Sequence, residues 1–342
     1  MCSTAFSTRG SAMTDAAKEK TLQHSSVQDE LATPARSQWR EIWVQFKSHR
    51  GALFGGCLFL FIVLGVVVGP FIYWNDAKFV PTGRDFITLR DMRPIYHALW
   101  DPSAKMDWAY PLGTDNLGRD TLARLMFGGR VSLAVGMAAM ILALILGSLI
   151  GVLAGYFKKL DGLLMRMTDL FLALPLLPMI LVAAVLFRES LSKTIGPEGG
   201  IFVLIVCLIG ITSWMPTARI VRGDVLAIKE REFVLAARSI GTKPGNIISR
   251  HILPNVLSPI MVSATLGIAT AIITESALSF LGFGFPPDFP TWGRLLNDAV
   301  DRMTLFPERV LWPGILISLT VLSVNYLGDG LRDALDPRIR GR

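Results

Sequence analysis

Residues able to carry catalysis or bind a metal are scarce and scattered in this chain of 342 residues. It has no Gly-Lys dipeptide, so a Walker A phosphate loop is absent, and it has neither an H-E-x-x-H nor a G-x-S-x-G pattern. Asp115, Asn116 and Asp120 lack the spacing of an EF-hand calcium loop. The four histidines are too dispersed for a metal site: His24, His49, His97 and His251. The sequence therefore predicts no enzyme, and no cofactor or metal bound by this chain.

One acidic residue stands apart because of its surroundings. Glu275 is the only carboxylate deep within a long apolar run. A charge in such a run is costly, so its side chain should face other helices, a partner subunit or water. Two interpretations stay open. Glu275 belongs to a polar pathway or its gate, or it makes a structural hydrogen bond that holds its helix.

The most informative stretch is the loop 219–254 between two apolar runs. Its residues from Glu232 favour a helix, and Gly241 is placed to end that helix in a left-handed cap. Pro244 suits the first turn of a second helix. The two helices should meet at a corner of small residues, where another protein can approach the backbone. The residues of interest in the loop are Glu232, Ala236, Ala237, Gly241, Pro244, Ile252, Leu253 and Pro254.

The elements that must position these residues are apolar. Hydrophobic residues make up 51% of the chain and charged residues only 18%, a balance that favours lipid as the surrounding solvent. Six apolar stretches are each long enough to cross about 30 Å of hydrocarbon, and backbone in lipid must be helical. They are Leu53–Trp74, Val131–Phe157, Leu163–Phe187, Gly199–Ala218, Asn255–Phe283 and Val310–Leu327.

Basic residues orient these spans and set the chain's boundaries. Of the 34 Lys and Arg, 21 fall on one side if both termini are cytoplasmic. Residues 1–36 are predicted to form a disordered cytoplasmic tail, and the six-span domain is predicted to cover residues 53–342. Between them, the pattern of residues 37–52 predicts an amphipathic helix in the membrane interface, with Trp39 and Trp43 at headgroup level. The alternative is that these residues form the first turns of a long first span.

Two features of the spans concern packing. The second span carries small residues four apart, which let another helix backbone come close, either within the chain or in another subunit. This ladder consists of Ala139, Ala143, Gly147, Gly151 and Gly155. Pro175 and Pro178 in the third span, and Pro216 in the fourth, should bend their helices because each removes a backbone hydrogen bond.

A different class of protein, the DNA-binding regulators, contains a motif with the same shape as loop 219–254. Ala237, Gly241 and Ile247 have the spacing of a DNA-binding helix-turn-helix, which suggests a membrane-tethered regulator. Both ends of the loop are anchored in lipid, however, and acidic residues offset its basic ones. DNA binding is therefore disfavoured.

The loop also resembles a known family. Ala236-Ala237-x-x-x-Gly241, followed by Ile252-Leu253-Pro254, is similar to the "EAA" loop of ABC-importer permeases. Leu235 replaces the glutamate of that motif, and His251 its first isoleucine. Other stretches resemble the dipeptide/oligopeptide branch, and within it the "C" permease: Gly113–Asp120, Gly128–Leu133, Glu275–Gly282 and Asp333–Arg338.

The resemblance implies a fold, a location and partners. The fold would be an all-α membrane protein of the ABC-importer permease type in a bacterial cytoplasmic (inner) membrane. The loop would dock on a cytoplasmic ATPase, and ATP would be bound by partner subunits. The implied partners are a second homologous permease, two ATP-binding subunits and an extracytoplasmic solute-binding protein, received by loops 75–130 and 284–309; no nucleic acid is implied.

We expect a permease that moves di- or oligopeptides, or peptide-like solutes, by work received through this loop. A chain without a nucleotide site can use ATP only through a contact with another subunit. The alternative is a stand-alone secondary transporter. It is disfavoured because the sequence shows no internal repeat and has one deep ionisable residue to couple an ion.

Overall fold

The computed structural model describes residues 38–335 except Trp100 and Pro102. The predicted tail 1–36 and the stretch after Leu335 lie outside the described residues. Among those described, regular structure is helical, apart from one isolated bridge between Thr114 and Asp120. The chain divides into two units, Met1–Ser48 and His49–Arg342.

The first unit contributes one described helix, α1 (Gln38–Ser48). Trp43 stacks on Phe46 with ring centroids 6.0 Å apart, and the Lys47 ammonium lies 5.2 Å from the Trp43 ring. The helix ends at Ser48, short of the predicted limit at residue 52. His49 then caps a new helix by accepting a hydrogen bond from the Ala52 amide. The first span therefore starts at Arg50, three residues earlier than expected.

Among the described residues, four helices are long and apolar enough to cross a membrane. Three of them are single elements, α2 (Arg50–Ile72), α4 (Thr121–Tyr156) and α13 (Glu308–Leu335). The fourth is continuous over Pro244–Phe280. It consists of α10 (Pro244–Ile247), a π-helical turn (Ile248–Ile252) and α11 (Leu253–Phe280). Predicted span 6 lies wholly within its helix, whereas predicted spans 1, 2 and 5 extend one to three residues past the ends of theirs.

The other two predicted spans are bent pairs of helices. The first pair is α5 (Lys158–Ala173) and α6 (Leu176–Ile195), and the second is α7 (Pro197–Thr212) and α8 (Met215–Ile228). The bends are 86° and 42°. By length and composition, the described part of the chain therefore has four candidate spans, or up to six if each bent pair is one crossing.

The sharper bend corrects the third predicted span. Leu163–Phe187 was expected to be one helix, but the chain leaves helical geometry at Leu174 and Pro175. Proline disfavours helical backbone in the residue before it, so Leu174 is extended and the two axes diverge. Pro178 lies in the first turn of α6, where a missing N–H costs little. Pro216 lies at the start of α8 and marks the 42° bend.

Helix α4 is the centre of the bundle and packs against α2, α7, α8 and α11. At one end of the bundle α4 finishes beside α8, where the Lys229 ammonium donates to the Gly155 carbonyl. This end also holds the loop after α8, and we call it the corner end. At the opposite end, the loop end, Asp120 caps α4 and accepts hydrogen bonds from Tyr73 and Asn75.

The two long loops at the loop end contain short helices. Loop 75–130 includes α3 (Gly83–Leu89) and a 3₁₀ turn (Ile95–Leu99), and loop 284–309 includes α12 (Trp292–Val300). In the second loop, Trp292 and Phe285 are fully buried. The Trp292 indole donates to the Leu125 carbonyl at 3.0 Å, so α12 is anchored in the bundle.

Candidate functional site

A short helix, α9 (Glu232–Ser239), stands at the corner end between α8 and α10. Glu232 lies in its first turn, where a carboxylate is favoured by the helix dipole. Val234 and Ala237 are three residues apart and share the inner face, so both are buried in a cluster with Ile247 and Ile252. Ala237 was expected to face a partner, but it packs inward and fastens α9 to the bundle.

The end of α9 has the predicted left-handed cap. Gly241 has φ +79°, and the prediction of its conformation is confirmed. The Thr242 amide donates to the Ala237 carbonyl at 3.1 Å, and the Gly241 amide to the Arg238 carbonyl at 3.0 Å. This is a Schellman arrangement, which satisfies the last carbonyls of the helix. A Cβ added at Gly241 would have no atom within 4 Å, so the corner is open to an approaching surface.

The second helix of the corner begins with Pro244, as expected. The π-helical turn follows, and Ile252 inside it is fully buried. Leu253 and Pro254 begin α11, where Leu253 is 42% exposed. The helix from Pro244 to Phe280 is uninterrupted, so a force on the corner acts directly on a helix that spans the bundle.

The outer face of the corner exposes apolar and small residues beside the charged Glu232, Arg238 and Lys243. Ala236 and Gly241 are exposed. The side chain of Ile240 is 82% exposed, and those of Phe233 and Leu235 are 45% and 40% exposed. Exposed apolar side chains grouped in this way are typical of surfaces that contact other proteins. We call this group, with α9, α10 and the turn between them, the coupling corner.

The small-residue ladder of α4 faces α8 of the same chain. All five ladder residues are buried. A Cβ at Gly147 would lie 2.7 Å from the Trp214 carbonyl oxygen, and one at Gly151 would lie 2.7 Å from that of Ala218. A Cβ at Gly155 would lie 2.7 Å from Cβ of Val225. The two backbones therefore meet closely enough to exclude any side chain, and α8 is fixed to the central helix.

Glu275 lies inside a closed hydrogen-bonded group. Its carboxylate is fully buried and accepts from Ser132 of α4 at 2.9 Å and from Ser279 of α11 at 2.7 Å. The Ser132 oxygen in turn accepts from the Trp292 amide at 3.3 Å. One carboxylate thus links α4, α11 and the start of α12.

A second charged group holds the loop end together. Arg124 of α4 is 1% exposed, and its guanidinium bridges Asp115 at 2.5 Å and Asp298 at 3.2 Å. Arg119 contacts the same two carboxylates at 2.7 and 3.5 Å. Burial alone would raise the pKa of Asp115, but the charges of Arg124 and Arg119 outweigh it and hold that pKa below its ordinary value.

Sequence reasoning missed this group. Asp115 was rejected as a calcium ligand and otherwise named only within the stretch Gly113–Asp120, and Arg124 was not considered. The available signal was the presence of Arg119 and Arg124 on either side of the start of a helix in which Arg130 is the only other charged residue. Within the described residues, no group of three His, Cys, Asp or Glu side chains could hold a metal.

Comparison with known proteins places the chain in a family. Residues 143–341 match the model for the binding-protein-dependent transport system inner membrane component, and residues 37–87 match that for the N-terminal TM domain of oligopeptide transport permease C. The chain belongs to this family of transport permeases. It is a permease and not an enzyme.

Curated relatives agree over nearly the whole permease. The oligopeptide transport system permease protein OppC of Bacillus subtilis is 33% identical over 313 residues, which are 91% of this chain and 93% of that protein. The dipeptide transport system permease protein DppC of Alkalihalophilus pseudofirmus is 37% identical, covering 90% and 92%. The glutathione transport system permease protein GsiD of Escherichia coli O6:K15:H31 is 37% identical, covering 92% and 93%.

A solved structure shares the fold. The permease resembles a chain of the MetNI methionine ABC transporter in an inward-facing conformation, with a TM-score of 0.50 and 17% identity. The match covers 61% of this permease and 94% of that chain. At this identity the likeness supports the fold alone.

The ladder allows a direct test of packing in the permease. We expect Gly151→Val to destabilise the bundle by about 1–3 kcal/mol, because the added Cβ would overlap a backbone carbonyl that has no room to move. The measurement is the thermal unfolding midpoint of the purified chain in detergent. Gly65→Val is the matched control, since a Cβ at Gly65 of α2 meets no atom within 4 Å. Equal midpoints for the two variants would contradict the close contact of α4 with α8.

Proposed function

We propose that this permease is a subunit of an ATP-driven importer that moves di- or oligopeptides, or peptide-like solutes, across the cytoplasmic membrane. Its named relatives carry oligopeptides, dipeptides and glutathione, all of which contain peptide bonds. The work of transport reaches the chain through the coupling corner, which docks on a separate ATPase subunit. ATP is bound by those partners.

The coupling corner is the observation that carries this proposal. It projects a small apolar surface, yet buried Val234 and Ala237 hold it firmly to the bundle. A surface that must transmit force needs both properties, because an apolar face binds a partner and a rigid mount passes the motion on. The mount is rigid here because α10 continues into α11 without a break.

Two helices receive the motion. The corner joins α11 on one side and α8 on the other, and the ladder locks α8 to α4. Closely packed helices move as a body rather than deforming, so displacement of the corner rocks α4, α8 and α11 together. Rocking of this kind would open a pathway alternately to the two sides of the membrane.

The remaining partners follow from the two ends of the molecule. We place the corner end and both termini in the cytoplasm, since short basic loops favour that side. The loop end would then receive a solute-binding protein on loops 75–130 and 284–309. A second homologous permease and two ATP-binding subunits complete the importer.

We assign Glu275 a structural role in this assembly rather than a place in the pathway. The support is its complete burial and its hydroxyl partners on two helices. We expect Glu275→Leu to lower the thermal midpoint, because it removes the acceptor for the buried hydroxyl protons of Ser132 and Ser279 at about 1–3 kcal/mol each. Glu275→Gln keeps an acceptor at the site and should retain both stability and transport. A Gln variant that folds normally but no longer transports would favour the pathway role.

The proposed function is tested by what the chain binds. The tagged chain would be extracted in mild detergent from its native membrane, and proteins present in stoichiometric amounts identified by mass spectrometry. We expect a homologous permease and ATPases with a Walker A loop. The chain alone, transporting in liposomes without ATP, would replace the proposal with a stand-alone secondary transporter.

A further inference from the structure

A cavity of about 850 Å³ lies at the corner end, between α8, the start of α11 and the end of α13. Its volume falls within the range of about 300–1,000 Å³ that is usual for small-molecule sites. Most of the wall is apolar. Three charged side chains line it: Asp224 of α8, Arg231 before α9, and Arg332 of α13.

These three charges lack partners among the described residues. None of them makes an ion pair or a side-chain hydrogen bond there. Acidic residues of α5 nearby are all paired with α8, since Asp161 contacts Arg222 at 2.5 Å and Asp169 contacts Arg219 at 2.5 Å. The cavity thus gathers one carboxylate and two guanidinium groups, while other charges on the same helix are matched within the protein.

The backbone of α11 adds an acceptor to the wall. Pro259 has no N–H, so the carbonyl of Asn255 loses its usual partner one turn later in the helix. Both residues line the cavity, together with the hydroxyls of Ser258 and Ser263. Neutral polar groups of this kind suit a peptide backbone, and the apolar wall suits side chains of any sequence.

We propose that this cavity holds a di- or tripeptide on its way through the permease. Asp224 contacts the terminal ammonium, and Arg332 with Arg231 contacts the terminal carboxylate. Recognition of the two termini and of the backbone accommodates varied side chains. The inference rests on the proposed function, since it takes the solute to be a peptide. It adds a site within this subunit and the residues that form it.

The position of the cavity supports a role in transport. Arg231 and Phe233 in its wall belong to the approach to α9 and to α9 itself, so the cavity borders the coupling corner. Movement of the corner changes this part of the wall directly. A peptide held there would be released by the same displacement that the ATPase imposes.

Binding to the complete importer tests the proposal, with radiolabelled trialanine as the probe and equilibrium dialysis as the measurement. We expect Asp224→Asn to weaken binding of trialanine about tenfold or more, as loss of a charged hydrogen bond implies, but not to change binding of N-acetyltrialanine. Arg332→Gln should likewise weaken binding of trialanine and leave binding of trialanine amide unchanged. The matched controls are Asp301→Asn, at the opposite end, and Arg250→Gln, at the same end outside the cavity.

The outcomes separate this proposal from the proposed function through ATP-driven uptake of trialanine by the same complex in liposomes. Uptake with equal binding by wild type and both variants would overturn the cavity site and leave the importer standing. Trialanine binding that rises when phosphatidylglycerol liposomes are replaced by phosphatidylethanolamine, and that Asp224→Asn and Arg332→Gln leave unchanged, would assign the cavity to a lipid headgroup and also overturn it. A wild-type complex that neither binds nor accumulates trialanine would overturn the peptide assignment itself.

Discussion

Gly241→Val should abolish solute-stimulated ATP hydrolysis by the assembled importer while leaving the chain inserted and folded. The branched side chain of valine would occupy the open space at Gly241, where an added Cβ has no atom within 4 Å. Loss of one central contact in a docking surface costs about 2 kcal/mol or more, which corresponds to roughly a thirtyfold loss of docking. We therefore expect stimulated ATPase activity to fall at least tenfold.

The folding of this variant should be little affected. A side chain at φ +79° adds about 1–2 kcal/mol of strain, which is small against the 5–15 kcal/mol that stabilise a typical protein. Gly282→Val is the matched control for strain. Gly282 also has a positive φ in a cap of the same type, and a Cβ there also meets no atom within 4 Å, but it lies after α11 at the loop end. That variant should retain coupling.

Gly241→Asn separates the two possible effects of the substitution. Asparagine tolerates the left-handed conformation, so the cap of α9 survives while bulk is added. Loss of coupling in both the Asn and the Val variants would show that bulk at the corner blocks docking. Full coupling in the Val variant would contradict the assignment of this corner as the docking surface.

Arg124→Met should be the most destabilising single change at the loop end. It leaves the carboxylates of Asp115 and Asp298 facing each other with less compensating charge, and breaking a buried ion pair costs about 3–5 kcal/mol. We expect a large fall in the thermal midpoint of the purified chain. We also expect a loss of uptake, because Arg124 ties loop 75–130 to α12.

A matched control and a second-site change sharpen this test. Arg84→Met removes an exposed arginine from the same loop and should leave the midpoint unchanged. Asp298→Asn combined with Arg124→Met removes one of the two stranded charges, so it should recover part of the lost stability. An Arg124→Met variant as stable as Arg84→Met would show that the charged group does not hold the loop.

Much of this permease was predictable because its main signals are local. Hydrophobic runs identify membrane spans from composition alone, and all six predicted regions contain apolar helix. The conformation of the coupling corner was equally predictable from the sequence, since a left-handed glycine and a first-turn proline determine the local backbone conformation directly. The conformation of Gly241 and the start of the second helix at Pro244 are both as expected. The spacing of the α4 ladder predicted close packing for the same reason.

Other features depended on which distant residues meet. The ladder's spacing did not identify its neighbour, and only the fold places α8 against Gly147, Gly151 and Gly155. Glu275 is bonded to Ser132 and Arg124 to Asp298, and each of these partners lies more than 100 residues away along the chain. Prolines predicted a bend in the third span, but its 86° angle depends on the packing of α6 against α7 and of α5 against α4. Local chemistry thus determined the spans and the corner, while long-range packing decided which helices they contact. A contact between distant segments produces no periodic pattern in the sequence of either segment, so it could not be predicted.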